Sequence, residues 1–335
     1  MGLRLDPIDE HLHDLGPEEN FNESMYFNVV DPASRLGAFF RLANRANEGT
    51  GEMTTCIYLP GGRVAFSFRR PKVTSNDAFD AAGMRFDVVT PFEELHVHFE
   101  GKVCILDDPL QLADPKAALT ANPWADAAVE LTYRDVAPPF GGEPDEPHER
   151  PGEEFAKGHY EQLVSAKGTI SVGDESFEVD GYGLRDHSWG PRYWQAPWYY
   201  RWLTGNVGAD FGFMASRIAR KDGPGSRGGF VWEGGKLHLC DRAAVETTWT
   251  EGEPYHAAVR FTLGERHGER LWVLEGRVLS MVPLRNRRTA PDGSELVTRI
   301  GEGLTEWTLP DGRVGFGLAE YLDQIVDGHP AGLAE

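Results

Sequence analysis

Polar and apolar residues alternate along short runs of this chain. In Glu94-Leu95-His96-Val97-His98-Phe99, the residues Leu95, Val97 and Phe99 fall on one face and Glu94, His96 and His98 on the other, the period of two that a half-buried strand requires. The same alternation recurs, less cleanly, in Leu271–Val278 and Gly168–Val172. Turn signals punctuate these runs every ten or so residues: Pro60-Gly61-Gly62, Ala82-Gly83, Glu100-Gly101, Val172-Gly173-Asp174, Asp180-Gly181, Glu233-Gly234-Gly235, Glu251-Gly252, Pro291-Asp292-Gly293 and Pro310-Asp311-Gly312. Short strands at even spacing, with 39 Gly and almost no helical period, predict an all-β protein of antiparallel sheets closed into sandwiches or barrels. Helix is expected only in Pro115–Leu119 and Ala125–Ala128. The stretch from Val136 to Gly152, rich in Pro, Gly and charge, reads as a long loop. Lys221–Gly229 reads as a hairpin tip, because it lacks the Gly-Lys-Ser/Thr ending of a phosphate-binding loop.

A length of 335 residues fits two lobes of about 150 residues each. Strand-like segments resume at Tyr160, so the division is expected between residues 140 and 190 and is drawn at 180: residues 1–180 form one barrel lobe and 181–335 the other, with the active cleft near their interface. A net charge of −20, from 33 Lys+Arg against 53 Asp+Glu, argues against a nucleic-acid partner. The one basic run, Arg285-Asn286-Arg287-Arg288, reads as a solvated loop. Cys56, Cys104 and Cys240 sit far apart in apolar runs, as buried free thiols do. No apolar run approaches the roughly 18 residues of a membrane span, and the N-terminus carries acids where a signal peptide has a basic head. A cytoplasmic protein with no integral membrane segment is expected; nothing in the sequence fixes its oligomeric state.

Chemistry concentrates between Tyr182 and Trp202. These 21 residues hold four Trp, four Tyr and three Arg around Asp186-His187-Ser188. Exposed, so many aromatics would be an aggregation liability; around a partly buried cavity they make sense. A structural alternative stands beside this, since buried Arg-carboxylate pairs and Trp plugs are common where barrels close. Asp186 is the expected general acid. Desolvation beside Trp189 and Trp194 would raise its pKa, and pairing with Arg185 or Arg192 would lower it. Consecutive residues on a strand point alternately, so Asp186, His187 and Ser188 cannot form a hydrolase relay with one another, and the Gly-x-Ser-x-Gly elbow is missing. His96 and His98, with Glu94 or His187 as a third donor, make a weak metal pattern that a polar strand face explains as well; no metal is expected.

The segment Gly181-Tyr182-Gly183-Leu184-Arg185-Asp186-His187-Ser188-Trp189-Gly190-Pro191-Arg192 resembles the Asp-His-Ser-Trp-Gly signature of lipocalin-like proteins that include carotenoid 1,2-hydratase (hydroxyneurosporene synthase). Phe21–Phe27 and Gly315–Tyr321 resemble flanking blocks of that family's two lobes. The resemblance implies two tandem lipocalin-like (calycin) antiparallel barrels packed together, with an apolar cavity for an isoprenoid or polycyclic ligand. It implies a hydratase or cyclase-type lyase or isomerase without a redox cofactor, acting on a hydrophobic alkene-bearing substrate of terpenoid, steroid or polyketide type. No Gly-x-Gly-x-x-Gly followed by a helix contradicts this, and no cofactor is expected. The expected catalytic set is Asp186 as acid, His187 and Tyr182 to hold water, Arg192 to orient, and Glu320 as a second acid, whose alternative is a strand-end surface carboxylate. The expected substrate wall is Arg185, Trp189, Tyr193, Trp194, Trp198, Tyr200, Trp202, Tyr26 and Tyr321, aromatic faces being able to stabilise a carbocation without reacting with it. The rival reading is a non-catalytic carrier of a hydrophobic lipid or terpenoid.

Overall fold

The computed structural model describes residues 2–145, 155–223, 225–289 and 293–333. Eight strands form the first sheet in chain order: β1 (Phe21–Asp31), β2 (Leu36–Arg45), β3 (Thr50–Tyr58), β4 (Val64–Arg69), β5 (Glu94–Leu106), β6 (Trp124–Asp135), β7 (Gly158–Val172) and β8 (Glu175–Pro191). Each pairs antiparallel with the next, and β8 returns to β1, with Asp186 opposite Tyr26 and Pro191 opposite Phe21. The ring is therefore closed and exposes no long edge. A short hairpin, Phe79–Ala81 and Met84–Thr90, adds to β5. Eight further strands form a second closed ring: β9 (Tyr199–Val207), β10 (Phe211–Ala219), β11 (Ser226–Glu233), β12 (Lys236–Trp249), β13 (His256–Glu265), β14 (Leu271–Thr289), β15 (Glu295–Thr308) and β16 (Val314–Val326). Here β16 pairs back onto β9. These are the two lipocalin-like barrels that the resemblance implied, and of the sandwiches or barrels that the sequence pattern left open the sheets form barrels.

The compact units divide elsewhere than at residue 180. One comprises residues 1–107 and 121–193, the other 108–120 and 194–335. A break at 180 would cut β8, which is laddered to β7 from Glu175 to Trp189 and to β1 from Tyr182 onward. Continuity of that ladder carries the whole signature into the first unit. The helix α1 (Pro115–Ala121) forms where expected, and the segment before it joins the second unit, where Arg285 donates to the Ala113 carbonyl at 3.2 Å and lies 3.5 Å from Asp114. The basic run 285–288 is thus the end of β14 rather than a loop. Ala125–Ala128 is also strand, not helix: Ala127, Val129, Leu131 and Tyr133 all point into the first core, and pairing with β5 and β7 overrides alanine's helix preference. Phe140–Pro144 forms a short strand within the expected loop, whose residues 146–152 lie outside the described part.

Each interior holds a cluster of packed, buried side chains. In the first, Leu95, Val97 and Phe99 pack with Phe27, Phe40 and Ile57, as the alternation predicted. The three cysteines are buried thiols that form no disulfide. In the second, Trp307 is the central plug: it lies edge-on to Phe213 and Phe261 and donates its indole N–H to the Thr204 carbonyl at 2.9 Å. It fits because Gly205 and Gly276 have no side chain; a Cβ would meet its ring at 2.6 and 2.3 Å. Among the described residues no helix is long and apolar enough to cross a membrane.

Replacing Gly276 by Ala is expected to force Trp307 off its rotamer and destabilise the protein by about 1–3 kcal/mol. Urea unfolding followed by Trp fluorescence checks this; an unchanged midpoint would show that the plug has slack.

Candidate functional site

Strand β8 deals the signature onto two faces. Arg185, His187 and Trp189 point into the first barrel and are buried, whereas Asp186 and Ser188 point outward. Asp186 and Trp189 thus lie on opposite faces, and Trp189 does not wall the acid as the sequence reading expected. Nor does Arg185 orient it. Inside the barrel Arg185 forks onto Glu10, both contacts at 2.7 Å, and donates to Gln162 (3.0 and 2.6 Å) and to the Tyr160 hydroxyl (3.0 Å). Tyr160 in turn donates to Glu10 at 2.5 Å, and the Phe92 amide to the other Glu10 oxygen at 2.7 Å. Burial first, and then the neighbouring Glu10 charge, push the Tyr160 phenol well above its ordinary value, so it stays a donor. Every polar arm of this buried pair is matched, the condition under which a buried ion pair is tolerated.

A second interior cluster joins the N-terminal segment to β1 and β8. His187 Nε2 lies 2.9 Å from Glu23 Oε1, and His13 Nδ1 lies 2.7 Å from the same oxygen. The His13 amide donates to both carboxylate oxygens at 3.1 and 3.0 Å, and Asn76 donates to Oε2 at 2.5 Å. Burial alone would push the Glu23 carboxyl up, but the hydrogen bonds from His13 and His187 outweigh it and bring it down to about 2. His13 is raised, since the Glu23 and Asp9 carboxylates overcome the cost of burying its charge. Its ring stacks on Trp189, with centroids 4.1 Å apart and planes at 16°. Trp189 can sit so deep because its neighbour across the ladder is Gly158, where a Cβ would meet the indole at 2.2 Å.

On the outer face of the first ring, Asp186 Oδ2 is 3.9 Å from His159 Nε2 and pairs in register with Tyr26, which is buried. Burial works against a charged His159, but Asp186 and Glu161 prevail and raise its pKa. Ser188 and Ser24 share a hydrogen bond at 3.1 Å, within reach of Arg192, which donates to the Phe155 carbonyl at 3.1 Å and lies over that ring. Tyr182 is half-buried on the same face, opposite Ser165 and Val30.

The second ring holds the most acidic pairing. Glu302 on β15 and Glu320 on β16 are register partners on the outer face, both buried, and Glu320 also pairs with Trp202 of β9. The Tyr200 hydroxyl donates to Glu320 Oε1. Burial, the Glu320 charge and a hydrogen bond between the two carboxyls push Glu302 well above the carboxylate range. Like charges this close cannot both ionise, so the pair holds a proton. The expectation of Glu320 as a possible acid is thus placed in a buried pair, not on a strand-end surface. Tyr321 faces the other way, into the second barrel. It stacks on His256 at 3.8 Å under the Arg201 guanidinium at 4.2 Å, and Arg201 is forked onto Asp323 at 3.0 and 3.2 Å. Burial brings His256 down to about 3 and keeps it neutral. Tyr193, Trp194 and Trp198 are half-buried in the segment before β9, where Gln324 donates to the Trp194 carbonyl. Within their own units, Arg185, Trp189 and Tyr321 of the expected substrate wall lie in a barrel interior, Tyr26, Tyr200 and Trp202 on an outer face, and Tyr193, Trp194 and Trp198 in the segment before β9.

Sequence reasoning missed Glu10, Glu23, His13 and Glu302. Glu10 and His13 lie in a stretch read only for the absence of a signal peptide, and no local pattern ties residue 10 to residue 185. Glu302 had one usable signal: it stands in an apolar strand between glycines, Ile300-Gly301-Glu302-Gly303-Leu304. His96 and His98 remain on a polar strand face, pairing with Glu94 and with Glu130 and Asp87 respectively.

Residues 6–325 match the family described as a domain of unknown function, DUF7064. The chain belongs to the DUF7064 family. A sequence comparison with curated proteins finds no match. Solved structures share the DUF7064 protein's fold at low identity. A protein assigned as AttH from Nitrosomonas europaea is 13% identical, with a TM-score of 0.58 over 96% of this chain and 97% of its own. Kievitone hydratase from Nectria haematococca is 8% identical, with a TM-score of 0.55 over 95% and 92%. CghA is 15% identical, with a TM-score of 0.51 over 93% and 90%. The two-barrel architecture is thus common to all four chains.

Two outcomes follow for the DUF7064 protein. Arg185→Met strands Glu10 in the barrel and is expected to cost about 3–5 kcal/mol in urea unfolding, part of which Glu10→Gln in the same chain restores; simple additivity of the two would contradict the pairing. Because Glu302 is raised above its ordinary 4.5, its contribution to stability is complete below pH 4.5 and is lost as pH rises through the raised value. The stability difference between Glu302→Gln and wild type is expected to be flat below that pH and to shift in favour of the variant above it.

Proposed function

We propose that this protein is a hydratase or lyase-type enzyme that protonates a carbon–carbon double bond with the Glu302–Glu320 carboxyl pair. The observation that carries the reading is the raised Glu302 carboxyl, hydrogen-bonded to Glu320 while Tyr200 donates to Glu320. A carboxylic acid kept neutral by burial and by a like-charged neighbour is a proton donor at neutral pH. In the proposed cycle Glu302 gives its proton to one alkene carbon and leaves a cation on the other. As that proton leaves, a water whose oxygen bonds to the cation gives one of its own protons back to the pair, so that the two carboxyls again share one proton. Water is added across the bond and the pair regains its starting charge. Trp202, the register neighbour of Glu320, offers an aromatic face for the cation.

Asp186, the acid expected from sequence, lies 3.9 Å from His159, whose pKa it helps to raise, whereas Glu302 is in an arrangement suited to holding a proton. A hydrophobic alkene of terpenoid, steroid or polyketide type is the substrate class that the carotenoid 1,2-hydratase resemblance implies. The fold shared with a protein named kievitone hydratase agrees with the reaction type.

The test is incubation of the protein with a panel of such alkenes in heavy-oxygen water. A product carrying one labelled oxygen is expected, with turnover lowered about a hundredfold or more in Glu302→Gln and Glu320→Gln. Loss in Asp186→Asn but not in these two would move the acid to Asp186, and ligand retained at unchanged mass would leave a carrier.

A further inference from the structure

The interior cluster of His13, Glu23 and His187 plays no part in the proposed reaction, yet its geometry is that of a donor set. His13 Nδ1, His187 Nε2 and a Glu23 oxygen all lie within 4.8 Å of one another. Two histidine nitrogens and one carboxylate oxygen are the ligands of mononuclear zinc sites that keep a fourth position for water. The surroundings hold each donor in place. Asn76 and the His13 amide grip Glu23 Oε2, which turns Oε1 toward the two imidazoles. Asp9 Oδ1 stands 3.4 Å behind His13 Nε2, the carboxylate-behind-histidine arrangement that fixes a ligating tautomer. Trp189 stacks on the His13 ring, and Phe79 and Tyr160 pack edge-on against His187. His187 Nδ1 is buried with no hydrogen-bond partner, so Nε2, toward Glu23, is the ring nitrogen that the cluster engages. Glu23 and His187 are buried, while 22% of the His13 side chain is open to solvent, so the cluster is reached from the His13 side.

We propose that His13, Glu23 and His187 bind one divalent transition-metal ion of the zinc type, which clamps the N-terminal segment to β1 and β8. The ion takes the lone pairs of His13 Nδ1 and His187 Nε2, and the protons these nitrogens hold toward Glu23 pass to solvent. This clamp is separate from the Glu302–Glu320 pair, so either proposal stands if the other fails.

The experiment uses the full chain, stripped with chelator and titrated with Zn²⁺ and with Co²⁺ as its coloured substitute. One ion per chain is expected, with a higher melting temperature, slower proteolysis within the first 20 residues, and a Co²⁺ spectrum of nitrogen and oxygen ligation without thiolate absorption. His13→Asn, which leaves the barrel strands intact, is expected to weaken Zn²⁺ binding at least tenfold. The double variant His96→Gln, His98→Gln is expected to bind as wild type does. No binding at micromolar Zn²⁺, thiolate absorption from Co²⁺, undiminished affinity in His13→Asn or loss in the His96/His98 variant would each overturn the clamp. Should His13→Asn fail to fold, the wild-type stoichiometry, Co²⁺ spectrum and His96/His98 variant still decide.

Discussion

A charge placed inside a closed barrel has no water to turn to, and the first ring is organised around that constraint. Arg185 occupies an interior position of β8, so its guanidinium must find partners within the lumen. Glu10, Gln162 and Tyr160 supply them, and Glu10 arrives on a segment outside the ring altogether. The N-terminal stretch is therefore held to the barrel by electrostatic necessity as much as by apolar contact. The second ring repeats the solution at its own interior arginine: Arg201 is forked onto Asp323 and also donates to the Gly332 carbonyl beyond the last long strand.

The pleat of β8 explains why one dozen residues of sequence carry two unrelated duties. Its inward side chains form the buried polar network, and its outward ones belong to a polar outer face with Ser24, Tyr26 and His159. The same division operates at β16, where Tyr321 belongs to the core and Glu320 to the acid pair. Within each unit the side chains of the dense aromatic segment are thus divided between the interior and the outer face of their own barrel. The structural alternative, in which arginine–carboxylate pairs and tryptophan plugs close barrels, describes Arg185 and Trp189 well.

Much of the fold was legible because it is written in local pattern. Period-two runs such as 94–99 and turns such as Gly234-Gly235 specify strands without reference to distant partners, and a meander of adjacent hairpins needs little else. What was illegible is long in range. Alanines at 125–128 say helix until β5 and β7 claim them, and the unit boundary at residue 193 depends on a ladder that spans all of β8. The site suffered most: Asp186 and Trp189 are close in sequence but face apart, whereas Glu10 meets Arg185 across 175 positions. Glu302 and Glu320 become a proton-sharing pair only through strand register.

Ring closure between β8 and β1 has a temporal side. A ribosome delivers β1 early and β8 some 150 residues later, so throughout synthesis of the first unit β1 has one flank without its ladder partner. Glu10 waits equally long for Arg185, and Glu23 for His187. Native pairing at this seam is thus a late event of high contact order, the kind that slows folding and leaves a nascent strand open to wrong partners. The many polar residues on β1, among them Asn22, Glu23, Ser24 and Asn28, keep that waiting strand less prone to stick.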